Sequence, residues 1–213
     1  MRLRPLSRPS GDTLGRFVFE ITTITVGILI ALWVDEARET RRDESLVRSA
    51  HEALAREISG NLRDVNGTQG SRDAHLKALE AGLAMIEDRL ANRPMTLKEI
   101  RFELNSPSFT KSAWDTASRT GALAFMDYGA IAEYAELYDL QDLVDQTQQR
   151  YVQMLTEQSA QLSIVTRNSA GVAVRPPDVE AARVQAMSLL GAFSSYNSLI
   201  GQLGTRYKSA QKP

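Results

Sequence analysis

The 213-residue chain carries 25 basic against 26 acidic side chains, a formal net charge of −1, so no global positive field exists to recruit nucleic acid. It has no cysteine, which excludes disulfides, thiol catalysis, thiolate metal sites and acylation on cysteine. Residues 1–16 form a basic tail with Arg2, Arg4, Arg8 and Arg16 against Asp12, suited to anionic headgroups. Residues 17–34, FVFEITTITVGILIALWV, follow as the only window that reads as a membrane span. At helical rise they cover about 27 Å, close to the thickness of a bilayer's hydrocarbon core. The run leads into Trp33, Val34, Asp35 and Glu36 with no small-residue cleavage pattern, which points to an uncleaved signal anchor. The lysine and arginine content of the two flanks is nearly balanced. A short basic tail ahead of the first apolar segment then favours a cytoplasmic N-terminus and a periplasmic domain.

Glu20 is the one ionisable group inside the span. It lies one turn from the edge, four residues after Arg16, so its carboxylate can extend toward the headgroups. It also shares a face with Thr23, Gly27 and Ala31, a small-xxx-small ridge on which a second helix could pack closely. These four residues are the candidate membrane-helix packing site.

The same stretch carries a resemblance. Glu20-Ile21, five residues, then Gly27-Ile28-Leu29-Ile30-Ala31-Leu32 is similar to the N-terminal hallmark of an uncharacterised family of bacterial single-pass membrane proteins, known as a domain of unknown function. Trp114, Gly121 and Leu123 resemble that family's mid-chain pattern. Phe19 stands where the family usually has glycine, and Trp33 sits earlier than its tryptophan. The resemblance implies a bacterial inner membrane and a helical extramembrane domain, and brings no activity with it.

Residues 35–46, polar on all sides, predict a helical stalk with Asp35–Arg38, Glu39–Arg42, Arg41–Glu44 and Glu44–Arg48 at pairing distance. Such a stalk is either simply solvated or a docking surface for a charged partner. A bundle domain is predicted over residues 47–208, with a C-terminal tail at 209–213. Val47, Ala50, Leu54, Ile58, Leu62 and Val65 mark the first helix face, which is expected to end at Asn66-Gly67 with Gly70 reinforcing the break. Leu76, Leu79, Leu83, Ile86 and Leu90 form a heptad seam stopped by Asn92-Arg93-Pro94. Thr96 with Glu99, and Ser112 with Asp115, read as starts of two short helices.

The aromatics Phe102, Phe109, Trp114 and Phe125 gather in this irregular middle. They read as core filling, with a small-molecule pocket at Trp114 as the alternative. Two long helices close the chain. One, from Tyr128 to Asn168, carries Leu137, Leu140, Val144, Tyr151, Leu155, Leu162 and Val165, interrupted by Thr147 and Gln158. The other, begun by Pro177, carries Val179, Ala182, Ala186, Leu189, Phe193, Tyr196, Ile200, Leu203 and Tyr207. With no period-two alternation, the fold expected is all-α: a transmembrane helix, a helical stalk and an antiparallel helical bundle.

Chemistry is sparse. His51 and His75 are the only histidines, and neither completes H-E-x-x-H or Glu-x-x-His, so no metal or cofactor is expected and both read as exposed helical positions. No phosphate loop or nucleophile constellation appears, and an enzyme is not expected. The reading is an anchored interaction module, with the lipid bilayer and a homo-oligomer or membrane protein as partners. The alternative is a small-molecule sensor coupled to the anchor.

Overall fold

The computed structural model describes residues 11–93, 104–167 and 176–211. Among these every regular element is helical: α1 (Gly11–Gly67), α2 (Gln69–Leu90), α3 (Ser112–Arg119), a 3-10 turn (Ala122–Phe125), α4 (Tyr128–Arg167) and α5 (Pro176–Ala210). The all-α architecture, a long apolar N-terminal helix continuing into a helical bundle, is therefore present. The chain divides into two units, Met1–Ser49 and Ala50–Pro213.

In the first unit α1 is unbroken through the apolar stretch and the charged stretch after it. Its large apolar side chains are exposed, Phe19 at 75 % and Trp33 at 72 %, and it is the one helix among the described residues long and apolar enough to cross a membrane. The charge pairs expected over residues 35–48 are not closed among the described residues. Exposed pairs gain little Coulomb energy in water and give up side-chain entropy, so none is enforced.

The second unit is a three-rod bundle. Thr68 alone separates α1 from α2, and it does not reverse the chain. Its backbone is right-handed helical, and i→i+4 bonds run through it, from the Thr68 N–H to Asp64 and from the Arg72 N–H to Thr68. The partners of α5 confirm the continuity. Gln211 meets Ser59, Gly204 faces Val65, Asn197 binds Arg72 and Phe193 packs on His75, a steady antiparallel register from one helix into the next. Helix α1 thus ends at Asn66-Gly67 as expected, but Thr68 is only a one-residue interruption, and Gly70 lies inside α2.

Helix α4 runs parallel to this composite rod, pairing Tyr134 with His51, Tyr138 with Glu57, Gln141 with Asn61 and Tyr151 with His75. Helix α5 is antiparallel to α4 as well, with Tyr196 on Gln148 and Tyr207 on Gln141.

The apolar stripes form the core as their spacing requires. All nine α5 seam residues are buried, as are Leu54, Ile58, Leu62, Val65, Leu137, Val144 and Tyr151. Ile86 closes the far end with Val179, Ala182 and Ala186. Thr96, Glu99 and Phe102, and the side chains of Leu162 and Val165, lie outside the described residues.

Candidate functional site

Two places collect polar groups in an otherwise apolar setting. The first is the anchor face. Arg16, Phe19, Glu20, Thr23 and Ile24 line a shallow open groove on the surface of α1. The Thr22, Thr23 and Thr25 hydroxyls each donate to the carbonyl four residues back, so the backbone already satisfies them. Glu20 and Arg16, four residues apart, are the charged groups on this face. A Cβ placed on Gly27 would meet nothing, so no contact inside the chain requires that glycine.

The second is a ladder of buried polar side chains along the bundle axis. Asn61, Thr68, Arg72 and His75 on the composite rod and Gln141 on α4 are all buried. They occupy inward heptad positions because the seam continues through them. At one end the Glu57 carboxylate accepts from the Tyr138 hydroxyl at 2.7 Å, the Ser112 hydroxyl at 3.0 Å and the Ala113 N–H at 2.8 Å. Helix α3 is therefore capped by a carboxylate of α1. The helix starts at Ser112 as expected, but without a side-chain cap of its own, the Ser112 hydroxyl being turned to Glu57.

One turn on, Asn61 donates to the Thr110 carbonyl at 2.8 Å and accepts its N–H at 3.0 Å. Gln141 accepts from Asn61 at 3.1 Å and from the Tyr207 hydroxyl at 2.6 Å. Beyond these, Arg72 donates to the Val65 carbonyl at 3.0 Å and to Asn197 Oδ1 at 3.0 Å, and also to the Thr68 hydroxyl. Its guanidinium thus ties the last turn of α1 to α5 across the one-residue interruption. Burial pulls the Arg72 pKa below its ordinary value, with Tyr196 and Asp73 opposing.

His75 is buried, not exposed as expected. Its Nε2 is hydrogen-bonded to the Tyr151 hydroxyl and its ring packs edge-on against Phe193 at 4.7 Å. His51 is exposed, as expected. The histidine missed this prediction because position 75 continues the heptad of Leu79, a signal hidden when only apolar residues are counted.

Burial raises the pKa of Tyr134, Tyr138, Tyr151, Tyr196 and Tyr207 above the ordinary phenol value. The Glu57 carboxylate beside Tyr138 adds to its rise. Asp145 is also raised, by burial first and then by Asp142.

Trp114 is half-buried, its ring stacked on Tyr138 at 5.3 Å, so it fills the α3–α4 junction. Phe109 is half-buried against Tyr207, whereas Phe125 is 54 % exposed and fills no core. No cluster of metal-ligating side chains occurs among the described residues. The chain matches no family model, no curated protein and no solved structure.

Proposed function

We propose that the chain is a non-enzymatic, membrane-anchored helical interaction module. Residues 17–34 cross a bacterial inner membrane once, residues 1–16 stay cytoplasmic, and the bundle docks an envelope or membrane partner from the periplasmic side. The observation that carries this reading is the continuity of α1. One helix holds both the exposed apolar stretch and the bundle-core residues Ala50, Leu54, Ile58, Leu62 and Val65. An apolar run of this length and exposure has lipid as its natural surroundings. The Glu20, Thr23, Gly27 and Ala31 face suits a second copy of the same helix. Small residues there permit close approach, and Glu20 gains a hydrogen-bonding partner that hydrocarbon does not offer. The similarity of residues 20–32 to single-pass bacterial membrane proteins agrees with the anchor.

Membrane fractionation tests the anchor: full-length protein is expected to stay in the pellet through alkaline carbonate washing and to need detergent for release. Recovery in the soluble fraction would reject it. The absence of native cysteine makes the packing face directly testable. Single cysteines at Thr23, Gly27 and Ala31 are expected to cross-link in membranes, and cysteines at Ile21 and Leu29 are not. Equal cross-linking at all five positions would reject the face, as would an unchanged oligomer size in detergent for Gly27→Ile.

A further inference from the structure

Arg72 is a buried cation without a counter-charge. It is 5 % exposed, and it enters no ion pair among the described residues. Three neutral oxygens hold it. Nε donates to Asn197 Oδ1, and Nη1 donates to the Val65 carbonyl and to the Thr68 hydroxyl. The N–H groups of Nη2 have no acceptor among the described residues, and solvent can still reach that nitrogen. Neutral oxygens satisfy individual donors but leave the charge uncompensated, whereas a buried charge is ordinarily paired.

A second donor nearby also lacks an acceptor. Ser106 Oγ is buried and makes no hydrogen bond. Its segment is pinned beside Arg72, because the Ser71 hydroxyl donates to the Asn105 carbonyl at 3.1 Å. Both side chains also lie by the Tyr196 phenol, whose own proton goes to Gln148 Oε1 at 2.6 Å. Burial raises the Tyr196 pKa, and Ser106 and Arg72 both pull it back. The acids of this region, Asp73 toward Arg72 and Asp145 toward Tyr196, act through space without closing a pair. A buried hydroxyl left without a partner costs about as much as a lost hydrogen bond, so two such donors side by side point to an acceptor between them.

We propose that Arg72 Nη2 and Ser106 Oγ form a binding site for a small monovalent anion of the chloride class. Such an ion supplies the missing counter-charge and accepts both free donors. A carboxylate gains less, because Nε and Nη1 are already committed and the bidentate fork of the guanidinium is not available to it. Phosphate and sulfate are disfavoured, since a doubly charged ion loses more hydration on entering and meets Asp73 and Asp145 nearby. The ion joins α2 to the segment before α3, and Arg72 carries the link on to the last turn of α1 and to α5. The site lies wholly within the Ala50–Pro213 unit, so it is independent of the membrane segment.

Thermal melts of the full-length protein in a non-ionic detergent test the site, with sodium chloride exchanged for sodium gluconate at constant ionic strength. The melting temperature is expected to rise with chloride and then level off, as an ion bound only by the folded state requires, and bromide is expected to act as chloride does. Ser106→Ala removes one hydrogen bond to a charge and is expected to raise the half-saturating chloride concentration by at least about tenfold. Ser108→Ala, at an exposed serine two residues on, is expected to keep the native response. Arg72→Met is expected to abolish it, and should that variant lose its helical circular dichroism, Ser106→Ala carries the comparison alone. A melting temperature indifferent to the exchange overturns the proposal. So does a response that never saturates, or a native response in Ser106→Ala.

Discussion

Glu57 shows how much one side chain can organise. Its carboxylate joins α1 to α4 through Tyr138 and starts α3 through Ser112 and Ala113. A charge-assisted cap replaces the side-chain cap that α3 does not provide for itself. Glu57→Ala removes the acceptor for three donors and is expected to cost about 2–3 kcal/mol, whereas Glu57→Gln, which keeps one acceptor oxygen, costs about 1 kcal/mol. Urea unfolding measures both, and amide exchange over α3 should rise in the alanine variant well before the bundle opens. Asp145 works in the opposite sense. Its folded-state pKa is raised, so below its ordinary value both states are protonated and nothing is lost. As pH climbs through the folded value, the ionised form sits in a partly desolvated site beside Asp142 and costs stability. Asp145→Asn is therefore expected to be more stable than the native chain at neutral pH, with the difference shrinking as pH falls toward 4. A constant difference across paired melts at the two pH values would reject the assignment.

At the scale of elements, the periodicity of apolar residues located most of the bundle. The α5 seam was fully legible because all nine inward positions are apolar or aromatic and their three-and-four spacing never slips. The composite rod was harder to read, although Leu54, Ile58, Asn61, Val65, Thr68, Arg72, His75, Leu79 and Ile86 keep the same heptad across Gly67. Polar side chains at Asn61, Thr68, Arg72 and His75 mask the stripe, and Asn66-Gly67, where α1 does end, gives no sign that α2 resumes after a single residue. The buried ladder was hidden for the same reason. A polar residue on a seam looks like an interruption until its partner, here Gln141 for Asn61, is brought in from another helix. The cap on α3 was beyond reach, since 55 residues separate Glu57 from Ser112. Glycine substitutions test the continuous rod. Gly67 carries no positive φ and an added Cβ meets nothing, so Gly67→Ala should stabilise by up to about 1 kcal/mol, where a reversing turn would be damaged. Gly204 is different: its added Cβ would lie 3.3 Å from Val65 Cγ1, so Gly204→Leu should destabilise by about 1–3 kcal/mol. Thermal melts of the two variants, shifted in opposite directions, are the expected result.

For the molecule as a whole, the core is stitched by phenols that cross between helices. Tyr138 and Tyr151 reach from α4 to the composite rod, and Tyr196 and Tyr207 reach from α5 to α4. Each hydroxyl is held against a side-chain oxygen or ring nitrogen of another helix, and burial raises each pKa because a phenolate there would lose its hydration. The linkage has a definite sign. Folding keeps the proton on these groups, so their contribution to stability is complete below the ordinary phenol pKa of about 10. It falls away as pH rises through the higher folded values, because only the unfolded chain releases the protons freely. The bundle should therefore unfold under alkali in one step. Tyrosinate absorbance near 295 nm from these tyrosines is expected to rise together with the loss of helical ellipticity at 222 nm, not before it. Tyr151→Phe removes one such proton and leaves His75 without its hydroxyl partner. It should lower stability at neutral pH by about 1–2 kcal/mol while making the alkaline transition less steep. If these phenols ionise while the helices remain intact, the ladder is open to water and is not the element that binds the three rods together.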